Sequence, residues 1–325
     1  MIEFKGVTKR YEEQVAVDHL DLVIKSGEAV MLVGPSGCGK TTTLKMINRL
    51  IEPSDGVIEI DGVDTGTVPV TQLRRSIGYV IQQVGLFPHL TVAENVATVM
   101  KLNGWDRERV RKRTEELMDL IGLPYEEYGK RLPDELSGGQ RQRVGVARAL
   151  GVDPNMLLMD EPFGAIDPVT RDRLQDELLR LQRIVRKTII FVTHDIDEAI
   201  KLGDRVALYN PNGTIAQYAT PAELLAKPAS DYVEGFLGAG RLVRRLGLIP
   251  LASLQIPPAN GGHPPDGGAA PPDVAIDVSG TLRDALDGVL RSADGRVAVV
   301  RRPGGEGGAD LVGILDAQAI VALGR

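Results

Sequence analysis

VGPSGCGKTTTLKMI, the stretch from Val33 to Ile47, places three glycines, two lysines and three threonines between an apolar run and a helical pattern. The spacing Gly34-x4-Gly39-Lys40-Thr41 after a predicted strand indicates a phosphate-binding loop. Glycines let backbone N–H groups turn towards phosphates, and the start of the following helix adds partial positive charge. We expect Lys40 to reach the β- and γ-phosphates and Thr41 to bind Mg²⁺. This loop alone fits kinases, GTPases and many ATPases.

The bulk composition is that of a globular protein without a membrane span. The 325 residues carry 38 basic and 44 acidic side chains, a net charge of −6, which argues against extensive contacts with nucleic acid. No apolar run approaches the roughly 18 residues of a membrane helix, and the N-terminus lacks an apolar signal region. We therefore expect any work at a membrane to need a partner. Cys38, the single cysteine, indicates a reducing compartment and is interpreted as a small turn residue.

Short apolar runs in the first 240 residues predict buried parallel strands that alternate with amphipathic helices. These runs are Val30–Val33, Ile77–Ile81, Met156–Met159, Ile189–Val192 and Val206–Tyr209. The early segments IEFKGV, LDLVIK and GVIEIDG predict a separate antiparallel layer. The fold class is therefore predicted to be α/β, with a mostly parallel core sheet.

Composition changes sharply towards the C-terminus. Gln255–Asp273 contains six prolines and four glycines in 19 residues, which predicts a semi-extended linker. Beyond it, the pattern predicts a small α+β module, whose first helix has Thr281 and Asp284 at capping-box spacing. We predict a nucleotide-binding domain over residues 1–240, a connecting segment over 241–273 and the small module over 274–325.

Two further motifs carry chemistry. In NMLLMDEP, four apolar residues deliver Asp160 to the edge of the sheet, where it can hold Mg²⁺ through water. Glu161 would then lie beside the γ-phosphate as a general base or water-polarising group. In LSGGQ, Ser137 with Gly138 and Gly139 predicts a second anion-binding helix start. A single nucleotide does not need two such sites about one hundred residues apart. Two chains need both sites if the second site of each chain closes on the nucleotide of the other.

With these motifs in order, the chain resembles the ATP-binding subunit of an ABC transporter over about residues 2–240. Tyr11 matches the aromatic residue that stacks on adenine, and His194 in FVTHD matches the switch histidine that contacts the γ-phosphate. Gln82 in GYVIQQ matches the glutamine that senses Mg²⁺ and the membrane partner. Asp167 in GAID matches the aspartate of the D-loop, the short segment after the DEP motif.

The resemblance implies an ABC-type P-loop fold and a full set of site residues. The nucleotide contacts implied are Tyr11, Gly34, Pro35, Ser36, Gly37, Cys38, Gly39, Lys40, Thr41, Thr42 and Gln82. The catalytic residues implied are Lys40, Glu161 and His194, and the Mg²⁺ ligands are Thr41, Gln82 and Asp160. The residues expected to contact a second chain's ATP are Ser137, Gly138, Gly139, Gln140 and Asp167.

The resemblance also implies a mechanism and partners. Two copies of the chain would sandwich two ATP molecules and would reopen after hydrolysis. The segment Gln82–Asn95 and a helical subdomain at about residues 90–150 would form the groove for a membrane permease. The chain would then lie peripherally at the cytoplasmic face of the cell membrane and would serve a solute-binding protein indirectly.

Several segments are similar to the quaternary-amine group of importers, which take up glycine betaine, carnitine, choline or proline. These segments are IGYVIQQVGLFPHLTVAENV, DELSGGQRQRVGVARAL, MDEPFGAIDPVTRDRLQDELLRLQ and FLGAGRLVRRLGLIPL. The tail from Thr281 resembles one CBS repeat, where members of the group often carry two. It is either a sensor that pairs with a second copy or a remnant.

Other functions stay open on the sequence. The transported solute could be a different small molecule, or the chain could be a soluble ABC ATPase that acts on ribosomes or DNA. Fractionation with membranes or with polysomes separates these classes. A regulatory binding protein with an idle ATPase is the third class, and turnover of Mg-ATP would exclude it.

Overall fold

In the computed structural model, the described residues are 1–12, 14–81, 85–164, 166–256, 272–302 and 310–324. They divide into one unit over Met1–Leu224 and a second over Leu225–Arg325. Gln82, the first part of the predicted permease segment (82–84) and most of the predicted linker (257–271) lie outside the described residues.

The first unit contains two sheets and the helices that connect their strands. Its strands are β1 (Ile2–Tyr11), β2 (Gln14–Ile24), β3 (Ala29–Val33), β4 (Asp55–Ile60), β5 (Val63–Asp64), β6 (Ile77–Val80), β7 (Met156–Asp160), β8 (Thr188–Thr193), β9 (Arg205–Tyr209) and β10 (Ile215–Ala219). Its helices are α1 (Lys40–Ile47), α2 (Val70–Ser76), α3 (Val92–Leu102), α4 (Arg107–Leu120), α5 (Tyr125–Tyr128), α6 (Gly138–Ala149), α7 (Pro168–Val185) and α8 (Ile196–Leu202), while α9 (Pro221–Ala226) spans the division between the units.

The core sheet has the order β10-β9-β3-β8-β7-β6 in the described part of the chain. Its strands are parallel except for β10, which pairs antiparallel with β9. Every residue of β3, β7 and β8 is buried, as expected for strands covered on both faces. The prediction of an α/β fold with a mostly parallel core sheet is confirmed.

The second sheet of this unit has the order β2-β1-β4-β5 and is antiparallel throughout. Its inner face packs with the core sheet into one apolar core, to which Phe4, Leu22 and Ile58 contribute. The predicted separate antiparallel layer is therefore present.

Four helices, α3 to α6, are inserted between β6 and β7 and occupy the region predicted to be a helical subdomain. Helix α3 begins with a capping box in which the Thr91 hydroxyl and the Glu94 carboxylate each accept a backbone N–H of the other residue. Helix α3 packs against both α4 and α6. The sequence GGQ therefore starts a helix of this subdomain, and that helix also packs against β6 of the core sheet.

The second unit contains α10 (Asp231–Leu237), α11 (Arg241–Gly247), β11 (Ala275–Asp277), α12 (Leu282–Arg291), β12 (Arg296–Arg301), β13 (Asp310–Asp316) and α13 (Ala317–Leu323). Its sheet has the order β11-β12-β13, and the Thr281–Asp284 capping box is formed. Leu246 and Leu251, from the stretch predicted to connect the domains, are buried in its core. The predicted domain limits and the CBS-like assignment stay predictions.

None of the helices built from described residues combines the length and the apolar character that crossing a bilayer requires.

Candidate functional site

Three loops of the first unit meet at one edge of the core sheet. They follow β3, β8 and β7, which are neighbours in the sheet and run parallel. The register pairs Val33 with Thr193 and Val192 with Asp160, so all three strands end at nearly the same level. Carboxyl ends of adjacent parallel strands are the usual position of ligand sites in such sheets.

The loop after β3 has the geometry of a phosphate-binding loop. Gly39, the residue before α1, has φ +97°, and a Cβ there would collide with the Ala16 carbonyl oxygen, so only glycine fits. The Lys40 ammonium group is buried and donates to the carbonyl oxygens of Gly34 and Pro35, each at 2.8 Å. Because a trans peptide directs C=O and N–H oppositely, the following N–H of Ser36 points away from this lysine. Ser36 is exposed.

Thr41 and Asp160 form a pair of oxygen ligands. The Thr41 hydroxyl donates to Asp160 Oδ1 at 2.9 Å, which leaves its lone pairs available. Burial raises the pKa of Asp160, and the Thr41 hydrogen bond opposes that shift. Burial, with the charge of Asp160, raises the pKa of Tyr79 to about 12. Among the described residues, no cluster of three His, Cys, Asp or Glu side chains could hold a metal. A Mg²⁺ ion here therefore needs phosphate oxygens or water in addition.

Glu161 and His194 face each other across the ends of β7 and β8. The Glu161 Oε2 atom lies 3.4 Å from His194 Nδ1. Glu161 adopts a left-handed backbone conformation, φ +42°, which costs a non-glycine residue about 1 kcal/mol. Its N–H donates to the Val192 carbonyl oxygen at 3.0 Å, which holds the strained residue in place. The His194 side chain is 61% exposed, so it remains accessible to a ligand.

The LSGGQ motif, Leu136–Gln140, lies at the start of α6. The Ser137 hydroxyl accepts from the Gln140 N–H at 3.2 Å, while the Gln140 side chain accepts from the Ser137 N–H at 2.8 Å. Ser137 and Gly138 are exposed. Gly139 packs against α7, because a Cβ there would lie 3.1 Å from Thr170 and 3.4 Å from Leu174. Gly138 therefore leaves the start of α6 open, and Gly139 allows the close contact between α6 and α7.

Asp167 begins α7. Its carboxylate accepts from the Thr170 N–H at 3.0 Å, and this backbone hydrogen bond holds the pKa of Asp167 below its usual value. The residue is exposed. Tyr11, at the end of β1, is also exposed, and the Lys9 ammonium lies 5.1 Å from its ring centroid. Gln82 lies outside the described residues, and the roles assigned to individual site residues stay predictions.

Sequence reasoning missed Tyr209. This tyrosine is fully buried at the end of β9, and its hydroxyl donates to Thr43 Oγ1 at 3.1 Å, one turn into α1. A Cβ on Gly34 would lie 3.0 Å from Tyr209, so the tyrosine also supports the start of the phosphate-binding loop. The only sequence signal was its place at the end of an apolar run, which does not distinguish a support from a core residue.

Comparisons with known proteins agree with this geometry. A family model described as "ABC transporter" matches residues 17–164. The osmoprotectant import ATP-binding protein OsmV of Salmonella typhimurium is 52% identical over 77% of this chain. The glycine betaine uptake system ATP-binding protein YehX of Escherichia coli is 50% identical over 76% of this chain and 79% of its own length. A solved dimeric ATP-binding cassette bound to ADP and Pi superimposes with a TM-score of 0.60, at 36% identity over 68% of this chain and 99% of that chain.

The chain spans 66% of the length of the Salmonella protein, just under two thirds, and 61% of some other curated relatives.

Proposed function

Because this chain belongs to the ABC transporter family, we propose that it is the ATP-hydrolysing subunit of a solute importer. The solute that we propose is a quaternary-amine osmoprotectant such as glycine betaine. The observation that carries the proposal is the meeting of Lys40, Thr41, Asp160, Glu161 and His194 at the ends of three adjacent parallel strands. Separate elements supply these groups, and each group has a use in cleaving a phosphoanhydride.

Binding of the nucleotide rests on the loop after β3. Lys40 is already fixed by the loop carbonyls at 2.8 Å, so its charge is preorganised beside the phosphate position. The N-terminus of α1 adds backbone donors and partial positive charge. The exposed ring of Tyr11 offers an apolar face for the adenine base.

The metal fits the Thr41–Asp160 pair, with Gln82 as a further ligand. When bound, Mg²⁺ neutralises charge on the phosphate oxygens. Thr41 would contribute its hydroxyl oxygen, and Asp160 would contribute a carboxylate whose burial raises its pKa and so makes pairing with a cation more favourable.

Hydrolysis needs a group that orients the attacking water and accepts its proton. Glu161 would serve as this group, and the 23% exposure of its side chain at the end of β7 supports that role. His194, 3.4 Å away, would hold that carboxylate in position and contact the terminal phosphate from its other nitrogen.

A second copy of the chain is the partner that completes each site. Ser137, Gly138, Gly139 and Gln140 would contact the partner's nucleotide through the exposed start of α6, and Asp167 would approach from the start of α7. Dimeric cassettes among the similar solved structures support this arrangement.

A separate membrane permease is the partner that would respond to the closing and reopening of the dimer. The segment Gln82–Asn95 and the helical subdomain would form the docking groove, and Phe87 in that segment is 42% exposed. The chain would lie peripherally at the cytoplasmic face of the membrane and reach a solute-binding protein only indirectly. Nucleic acid is not a proposed partner, because the net charge is −6.

The relatives at 50–55% identity support the choice of solute, since they include ATP-binding proteins of osmoprotectant, carnitine and glycine betaine systems. The test is uptake of labelled glycine betaine and of choline after an osmotic upshift. Cells carrying the native chain are compared with cells carrying Glu161→Gln, with no other osmoprotectant importer present. Uptake that the variant abolishes supports the proposal. Equal uptake in both kinds of cell would exclude an osmoprotectant as the solute. The chain would then serve the import of another solute or act as an ABC ATPase outside transport.

A further inference from the structure

A partly buried polar cluster links the D-loop to the segment that carries His194. It consists of Arg171 and Gln175 from α7 and of Thr193, Asp195 and Glu198 around the start of α8. At its centre, the Glu198 carboxylate is 6% exposed. It accepts from the Thr193 hydroxyl at 2.6 Å and from the Gln175 amide at 3.2 Å. A carboxylate buried to this degree is retained only where partners satisfy it.

Arg171 connects this carboxylate to the D-loop. Its Nη2 atom donates to the Ile166 carbonyl oxygen at 3.1 Å, next to Asp167. Its Nε atom lies 3.9 Å from Glu198 Oε1, and its Nη1 atom lies 3.8 Å from Asp195 Oδ2. One guanidinium group therefore donates a hydrogen bond to the D-loop carbonyl oxygen and lies within ion-pair distance of two carboxylates.

Thr193 passes the link on to His194. Its hydroxyl donates to Glu198 and also accepts from the Asp195 N–H at 3.0 Å. His194 lies between the two residues joined by that hydrogen bond, so the backbone on both sides of the histidine is fixed by the cluster. The path from Ile166 to His194 contains only hydrogen bonds, ion pairs and one peptide bond.

We propose that Arg171 and Glu198 are positioning residues that couple the D-loop to His194. Neither touches the nucleotide. They make the 3.4 Å separation between His194 and Glu161 depend on the position of Ile166 and Asp167. At these two residues the second copy of the chain would make contact. Contact by the partner copy then sets the geometry of hydrolysis in the same chain. This inference rests on the proposed ATP-sandwich function.

The residue types suit this role. An arginine fork can serve three acceptors in one plane, whereas a lysine ammonium is a point charge that cannot span Ile166 and both carboxylates at once. Arg171→Lys therefore keeps the charge near Glu198 but loses the D-loop contact. Glu198→Gln keeps the shape and can still accept from Thr193, but it removes the charge that attracts Arg171.

The first test needs no nucleotide. The chain has four histidines, so the imidazole resonances in an NMR spectrum are few and can be assigned by substitution. In Arg171→Lys and in Glu198→Gln, the His194 resonance should move while that of His89, in a different part of the first unit, stays in place. Arg173→Lys, an exposed arginine on the same helix, is the matched control and should move neither.

The second test is steady-state hydrolysis of Mg-ATP by the full chain. We expect Arg171→Lys and Glu198→Gln to lower kcat about tenfold or more while KM changes less than about twofold, since misplacement of a catalytic group costs turnover rather than binding. The double variant should lose no more than the stronger single variant, because both act on one link. Arg173→Lys should keep the native kcat.

Two results would overturn the inference. One is a folded Arg171→Lys or Glu198→Gln protein with both the His194 resonance and kcat unchanged. The other is a raised KM with native kcat, which would place the cluster in nucleotide binding instead. If the native chain does not hydrolyse ATP at all, the proposed function fails, and the His194 resonance alone decides whether the link exists.

Discussion

His194 Nδ1 and Glu161 Oε2 lie 3.4 Å apart, at the ends of two neighbouring strands of the core sheet. The two residues are more than thirty positions apart in the sequence and come together only because β7 and β8 pair in parallel. The left-handed conformation of Glu161, φ +42°, turns its side chain at the strand end. This pair is the centre of the hydrolytic arrangement that we propose.

Replacing Glu161 by glutamine should stop turnover and keep nucleotide binding. The amide cannot accept a proton from water, so we expect kcat to fall at least about a hundredfold. The ATP-bound dimer should then accumulate, because the step that reopens it is lost. Size-exclusion chromatography with and without Mg-ATP, together with a hydrolysis assay, measures both effects.

The control for that experiment is Glu126→Gln, an exposed glutamate in α5. It should hydrolyse ATP like the native chain and should form no long-lived dimer. A Glu161→Gln protein that binds ATP but stays monomeric at high concentration would contradict the sandwich arrangement.

Replacing Thr41 by valine should weaken the binding of Mg²⁺ at the site of hydrolysis. Valine keeps the shape but removes the hydroxyl that donates to Asp160 Oδ1 at 2.9 Å. We expect the Mg²⁺ concentration for half-maximal hydrolysis to rise about tenfold, the order of effect seen when a metal site loses a supporting group. Thr41→Ser retains the hydroxyl and should behave like the native chain.

The same variant should change the pH dependence. The Thr41 hydrogen bond lowers the pKa of Asp160, which burial raises, so its loss should raise that pKa further. Because the metal binds the ionised carboxylate, the acid side of the pH–rate profile should shift to higher pH. A profile identical to that of the native chain would contradict this role of Thr41.

Asn95 should prove to be the anchor of the loop before α3. It is fully buried, and its amide donates to the carbonyl oxygens of Phe87, Leu90 and Thr91 while its Oδ1 accepts from the Phe87 N–H at 2.8 Å. Asn95→Ala removes the partner of the Phe87 N–H and of the Leu90 carbonyl oxygen, while the Phe87 and Thr91 carbonyl oxygens keep backbone partners, so we expect the free energy of unfolding to fall by about 1–3 kcal/mol. Asn95→Asp should cost more, because a carboxylate would face three carbonyl oxygens.

Chemical denaturation followed by the fluorescence of Trp105, the single tryptophan, measures this loss. Asn103→Ala removes one hydrogen bond, to the Val99 carbonyl oxygen at 2.8 Å, and serves as the control with a smaller expected effect. Equal stability of Asn95→Ala and the native chain would show that the loop is held by other contacts.

Glu198 should make stability depend on pH in a predictable direction. Burial, reinforced by the charge of Asp195, raises its pKa in the folded state, against the opposing effects of Thr193, Arg171 and Gln175. The folded chain therefore binds this proton more tightly than the unfolded chain does. The stabilising contribution is fully present below the ordinary glutamate pKa of about 4 and is lost as pH rises through the folded-state pKa.

Glu198→Gln removes that titration. We expect the free energy of unfolding of the native chain, minus that of the variant, to decrease as pH rises from about 4 towards neutrality. Urea denaturation of both proteins across this range measures the difference. An increase with pH would mean that the attraction of Arg171 outweighs burial and that the folded-state pKa is lowered.

Much of the fold could be predicted from the sequence because local patterns encoded it. Continuous apolar runs such as Val30–Val33 are typical of strands buried on both faces, and the structure has β3 there. The glycine spacing around Lys40 predicted the loop, since only glycine fits at Gly39. Side-chain contacts between distant segments left no such signal, which is why Tyr209 and Glu198 were not singled out.

By itself, the sequence determined the phosphate-binding loop, the α/β class and the identity of the candidate catalytic groups. The loop, the fold class and the carboxylates Asp160 and Glu161 follow from short-range requirements: a positive φ at a glycine, an apolar strand and acidic residues at its end. His194 was identified by the resemblance to the family. Only the tertiary structure decided which groups meet. Strand order placed His194 beside Glu161, and helix packing brought Arg171 to Glu198, because contacts between distant segments depend on the whole core and not on any local pattern.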